Sequence, residues 1–170
     1  MDYIHIGKIV ATFGVKGELI LLHALNRKTA LKDVEAVFVE EKNGTRLPYF
    51  LETSKAKTGT EIYLKLEGVD TKEAAVALVQ KKIWLQDADF RKLAGTKSPI
   101  SLLGYQLIHS GENLGAIEEV IEQPHQVLLR ITYKGNEALI PLHDETLEKV
   151  DRVKGEVHVV LPEGLLEIYE

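Results

Sequence analysis

No cysteine occurs anywhere in the chain. That removes disulfides, thiolate nucleophiles and zinc ribbons together, and it fits a reducing cytoplasm. Long apolar runs are missing too: none approaches the roughly 18 residues that a spanning helix needs. The opening MDYIHIGKIV lacks a basic region followed by a long apolar stretch, so no secretory signal is read there. A soluble cytoplasmic protein is expected. Patterns of catalysis are also absent. The six histidines, His5, His23, His109, His125, His143 and His158, show no metal-ligand spacing such as HxH or HExxH. There is no GxSxG elbow, and the pairs Glu40-Glu41 and Glu118-Glu119 fall in strand-like segments whose neighbours point to opposite faces. His143-Asp144-Glu145 follows Pro141 at a strand end and reads as a polar turn. These absences argue against an enzyme and a metal centre.

What is present is enough apolar material for a core, 45% of 170 residues, and an uneven charge. Residues 1–97 hold 16 Lys/Arg against 13 Asp/Glu, a net of +3, whereas residues 98–170 hold 5 against 13, a net of −8. Such asymmetry suits two surfaces that face partners of different charge. Tyr3–Val10, Glu18–His23 and Thr60–Leu66 read as strands, and two apolar runs around Asn43-Gly44 read as a tight hairpin with positive φ at both turn residues. Asp70, with Glu73 three residues later, predicts a capping box and a short helix. KIWLQ (82–86) returns to strand, with Trp84 half-buried. Residues 87–99 lose periodicity and end in Pro99, marking a boundary. Beyond it GYQLIH, LGAIEEVIE, QVLLRITY, EALIPLH and EVHVVL alternate with turn-like separators, the pattern of small antiparallel barrels or sandwiches. The expected fold class is all-β, as two small β-barrels over residues 1–90 and 100–170, joined by a linker at 91–99.

GKIVATFGVKGE (7–18) packs three glycines, two lysines and one phenylalanine into twelve positions. It is no nucleotide-phosphate loop. Gly14 is followed by Val15 and Lys16, then Gly17-Glu18 and a strand, so no helix N-terminus supplies aligned N–H donors. Gly14 and Gly17 permit a chain reversal at a barrel rim. Phe13 beside Lys8 and Lys16 would form a platform for backbone phosphate and base stacking if it faces outward, and core if it faces inward.

Four segments in order resemble the RimM family of bacterial ribosome maturation factors: GKIVATFGVKGE, LEGVDTKEAAVALVQKKIWL, LLGYQLI…NLGAIEEVIEQP, and ALIPLHDETLEKVD with LPEGLLE. The resemblance runs from Gly7 to Leu166. It implies a six-stranded N-terminal barrel like those of translation factors, carrying one short helix, followed by a PRC-barrel. It further implies a non-catalytic, cofactor-free monomer that binds the immature small (30S) ribosomal subunit and assists head assembly and 16S rRNA processing. The implied partners are the subunit head, small-subunit ribosomal protein nineteen and 16S rRNA, with no membrane. On this reading Lys8, Phe13, Gly14, Lys16 and Gly17 are the candidate contacts to subunit or rRNA. Leu103, Gln123, Pro124, His125 and Leu142 are the candidates for the ribosomal protein. Many family members carry a Tyr-Tyr run before the second module, implicated in subunit contact, where this chain has Lys97-Ser98-Pro99-Ile100. The nearest aromatic substitutes are Phe90 and Tyr105. The rival reading is a flavin-binding reductase built on a similar barrel, which a yellow colour on purification would reveal.

Overall fold

In strand β2 (Glu18–His23) Leu19, Leu21 and His23 are buried while the residues between them reach the surface. The same alternation runs through β5 (Glu61–Leu66), where Ile62, Leu64 and Leu66 are buried. Each strand therefore has one apolar face that must be covered, and closing the sheet covers all of them at once. The computed structural model, which describes residues 2–95 and 98–170, shows this closure. With β1 (Tyr3–Phe13), β3 (Ala36–Glu40), β4 (Arg46–Ala56) and β6 (Lys82–Gln86), the strands form a closed barrel in the order β1-β2-β5-β4-β3-β6. Its interior is aliphatic, with Ile6, Ile9, Leu19, Leu21, Ile62 and Ile83 each at most 1% exposed. Each such side chain contributes about 1.5–3 kcal/mol relative to exposure.

Three local expectations change in this unit. The turn between β3 and β4 has positive φ at Gly44 but not at Asn43. Gly44 N–H donates to Glu41 O, and Glu41 N–H to Thr45 O, so the loop is a longer type I turn closed by a left-handed glycine. Helix α1 (Lys72–Val76) is capped by Thr71, whose hydroxyl accepts from Ala74 N–H at 3.1 Å; Asp70 instead pairs with Lys65 at 2.8 Å. The aperiodic stretch expected over 87–99 is helical over Asp87–Ala94, as α2. Asp87 and Asp89 open this helix, Arg91 and Lys92 close it, and Gly95 ends it at φ +69°, each in the place the helix dipole and the C-terminal turn favour.

The chain divides after residue 96 into a second unit. A 3₁₀ turn (Pro99–Leu102) leads into β7 (Gln106–His109), β8 (Glu112–Ala116), β9 (Glu119–Gln123), β10 (Gln126–Tyr133), β11 (Asn136–Leu142), β12 (Leu147–Asp151) and β13 (Glu156–Val159). They form a sheet of order β11-β10-β9 and another of order β12-β13-β7-β8. LGAIEEVIE, expected as one strand, is two, and LEKVD, for which no strand is expected, forms β12. The pair β13–β7 is parallel, not antiparallel, joining Val157 to Leu107. Leu107, Ile131, Ile140 and Val157 give this unit its own core. The last turn (Leu166–Tyr169) is tied to β11: Tyr169 OH donates to Leu139 O at 3.1 Å, and Asn136 Nδ2 to Tyr169 O at 2.9 Å.

Candidate functional site

The glycine loop joins β1 to β2 through a four-residue turn, with Phe13 paired to Glu18 across its base. Gly17 is the tightest point: a Cβ there would lie 2.1 Å from Val69 O, and its φ is +95°. The loop is thus seated on the backbone that leads into α1. Gly14 also has positive φ, but nothing lies within 4 Å of its would-be Cβ. Phe13 faces outward, 48% exposed, with its ring 4.8 Å from that of Tyr63. Lys57 reaches over Tyr63, its Nζ 6.0 Å from the ring centre. A hydrogen bond from Lys57 to the Glu61 carboxylate, at 3.1 Å, raises the lysine pKa further above its ordinary value. Lys16 is exposed at the tip, and Lys55 pairs with Tyr63 across strands β4 and β5.

Phe13, Gly14, Lys16 and Gly17 therefore share one end of the barrel. Lys8 does not join them. Five positions back along β1, roughly 16 Å at about 3.3 Å per residue, it sits directly opposite Lys82 of β6. Sequence reasoning missed Tyr63, Lys55 and Lys57; TEIYLKL was legible as a strand, but the loop that would meet it was not.

In the second unit Gln123, Pro124 and His125 form the exposed turn between β9 and β10. Leu142, half-buried at the end of β11, pairs with Val127 one step from that turn. Acidic residues gather nearby, with Glu122 beside the turn and Asp144 and Glu145 following β11. Leu103 stands apart from this group. It is 1% exposed and packs the interior, so it offers no surface to a partner. Phe90 and Tyr105, the aromatics nearest to the stretch that lacks the Tyr-Tyr run, are 0% and 7% exposed, and neither can anchor a partner. Lys97 lies outside the described residues.

Among the described residues no group of three or more His, Asp or Glu could hold a metal ion, and no helix is long and apolar enough to cross a membrane. What the fold does offer is two β units with exposed rings, lysines and turns, an arrangement for binding. The family model of the RimM N-terminal domain matches residues 4–90, and that of the RimM PRC barrel domain matches residues 99–165. The chain belongs to the RimM family. A protein of Christiangramia forsetii named ribosome maturation factor RimM is 32% identical over 97% of this chain and 95% of its own length. One of the same name from Parabacteroides distasonis is 34% identical, covering 96% and 95%. The solution structure of the N-terminal domain of RimM from Thermus thermophilus is 26% identical, covers 52% of this chain and 94% of that one, and has a TM-score of 0.42.

Proposed function

We propose that this protein is a cytoplasmic ribosome maturation factor that binds the immature small ribosomal subunit and acts as a monomer without chemistry of its own. The observation that carries the reading is family membership over both units, with relatives of that name above 30% identity along nearly the whole chain. The N-terminal barrel would meet rRNA through Lys16 and Phe13, with Lys8 as a separate contact and Gly14 and Gly17 shaping the turn. The acidic second unit would meet a basic protein of the subunit head, such as ribosomal protein nineteen, through Gln123, Pro124, His125 and Leu142. Complementary charge speeds such encounters and rejects wrong partners. Co-sedimentation with subunits tests the reading: the protein should pellet with immature small subunits and not with mature ones. Lys16→Ala should weaken the association more at low salt than at high salt, because phosphate attraction is screened. Equal binding to mature and immature subunits would count against a maturation role.

A further inference from the structure

Beside the start of helix α2 the outer surface of the barrel holds a groove of about 450 Å³. Its floor is apolar. Ala36 lies opposite Phe50 and Phe38 opposite Pro48, so two neighbouring pairs of β3 and β4 present one outward face. Phe38 forms the buried part of this floor, while Pro48 is exposed and Phe50 is 53% exposed. The walls are acidic. Val34 is buried between Asp33 and Glu35, and both of these are turned outward. A hydrogen bond from Leu51 N–H to Glu35 O at 2.9 Å holds Glu35 beside Phe50. On the other side Phe90, fully buried, pins α2, whose Asp89 and Lys92 line the groove together with Gln86.

The carboxylates of the walls stand out by their lack of partners. Elsewhere in the same unit Glu41, Glu52, Glu61, Asp70 and Asp87 each lie against a lysine or arginine. Among the described residues Asp33, Glu35 and Asp89 make no ion pair and no side-chain hydrogen bond, and Lys92 joins none of them. The groove therefore keeps a surplus of negative charge, although residues 1–97 net +3. Phosphate is repelled there, which excludes a nucleic-acid backbone. Among the described residues no three carboxylates could hold a metal ion, so the matching charge is one spread along a chain. A second copy of this face would bring carboxylate against carboxylate across a two-fold axis.

We infer that this groove binds an extended basic segment of a partner protein. An arginine of the segment stacks on Phe50 and pairs with Glu35 or Asp89, and an apolar side chain rests on Pro48 and Ala36. Arginine fits better than lysine, because its flat guanidinium covers an aromatic ring and offers a fork of donors to carboxylates at the same time. Asp33 is left for a second cation, and the Gln86 amide for the backbone of the segment. A closed barrel has no strand edge to lend, so side chains supply the grip. The inference goes beyond the maturation reading, which gives this barrel to rRNA and the protein contact to the acidic unit. It asks for a free, extended segment, not for a folded basic surface.

The full-length protein is titrated at low salt with a fluorescein-labelled peptide, Gly-Arg-Leu-Arg-Gly, followed by fluorescence anisotropy. Saturable binding is expected, weaker as salt rises and weaker when lysine replaces each arginine. In two-dimensional proton–nitrogen NMR spectra the backbone amides of Ala36, Phe50 and Asp89 should shift. Glu35→Gln combined with Asp89→Asn should weaken binding about tenfold, as charge-assisted bonds are lost. Phe50→Ser should weaken it several-fold, and neither variant should melt earlier, since both leave the core intact. Absence of binding, or amide shifts confined to the acidic second unit, overturns the inference. So does equal affinity of the double variant, or affinity that Phe50→Ser leaves untouched. Displacement of the peptide by equimolar spermidine overturns it as well, by making the groove a polyamine site. The spectra come from the unsubstituted protein and place the peptide whether or not a variant keeps its fold. Subunit co-sedimentation is measured separately, so sedimentation intact without peptide binding rejects the groove alone.

Discussion

Two glycines three residues apart in the same loop answer to different physics. Gly17 is held against Val69, where a Cβ would lie 2.1 Å from a carbonyl oxygen. Gly17→Ala should therefore cost about 3 kcal/mol or more, since backbone must move and positive φ adds its own strain. Gly14 has only the second problem, and Gly14→Ala should cost about 1–2 kcal/mol. Urea midpoints of the two variants check the order; equal losses would mean the Val69 contact is not what fixes the loop. His23 carries a second prediction at this scale. Its Nδ1 accepts from Leu25 N–H at 3.2 Å, which puts the ring proton on Nε2, where no acceptor lies. Burial lowers its pKa below 6.5, so the folded ring resists a proton that the unfolded chain accepts. Stability is then level above about pH 6.5 and falls below it, by at most about 1.4 kcal/mol per pH unit, until the folded pKa is passed. His23→Asn keeps an acceptor but cannot titrate, and its urea midpoint should drop less between pH 7 and pH 5 than that of the unsubstituted protein.

Helix α1 separates two candidate caps. Thr71→Ala removes the bond to Ala74 N–H and should cost about 1 kcal/mol, while Asp70→Ala loses only an exposed pair with Lys65 and should cost well under that. Thermal denaturation of both variants decides; the reverse order would return the cap to Asp70. That choice shows how legibility works at the scale of elements. Alternation made β2 and β5 readable, because each buries every second residue. Strand β1 showed itself by its β-branched residues and loses the alternation at a bulge between His5 and Gly7. Helix α2 hid because it buries one side chain, Phe90, too little for a period, although its Asp pair, its Arg-Lys pair and Gly95 were the available signal. Strand β12 hid behind LEKVD, which shows no buried residue at all. The parallel pair β7–β13 and the opposition of Lys8 to Lys82 could not be read, since each depends on register between segments 50 and 74 residues apart. Candidate contacts at the turns were legible as Gly, Pro and His in exposed positions, whereas Leu103 was not distinguishable from a surface leucine until its burial was known.

Charge divides the whole molecule as sharply as topology does, with a net +3 over residues 1–97 and −8 over residues 98–170. Each unit has its own buried core, so the two can be prepared and compared apart. If the acidic unit carries the protein contact, residues 98–170 alone should bind purified basic ribosomal protein nineteen, and residues 1–97 should not. Charge would set the rate of encounter, and the exposed turn would hold the complex. Alanine at both Pro124 and His125 should then raise the dissociation rate about tenfold with the association rate little changed, as measured by surface plasmon resonance. Circular dichroism of the double variant guards against loss of fold, which is not expected because both side chains are exposed and neither joins the core. Raising salt should slow association of the unsubstituted unit and leave dissociation nearly constant. Tighter binding by the N-terminal unit would reverse the assignment, and a double variant that binds like the original would move the contact away from this turn.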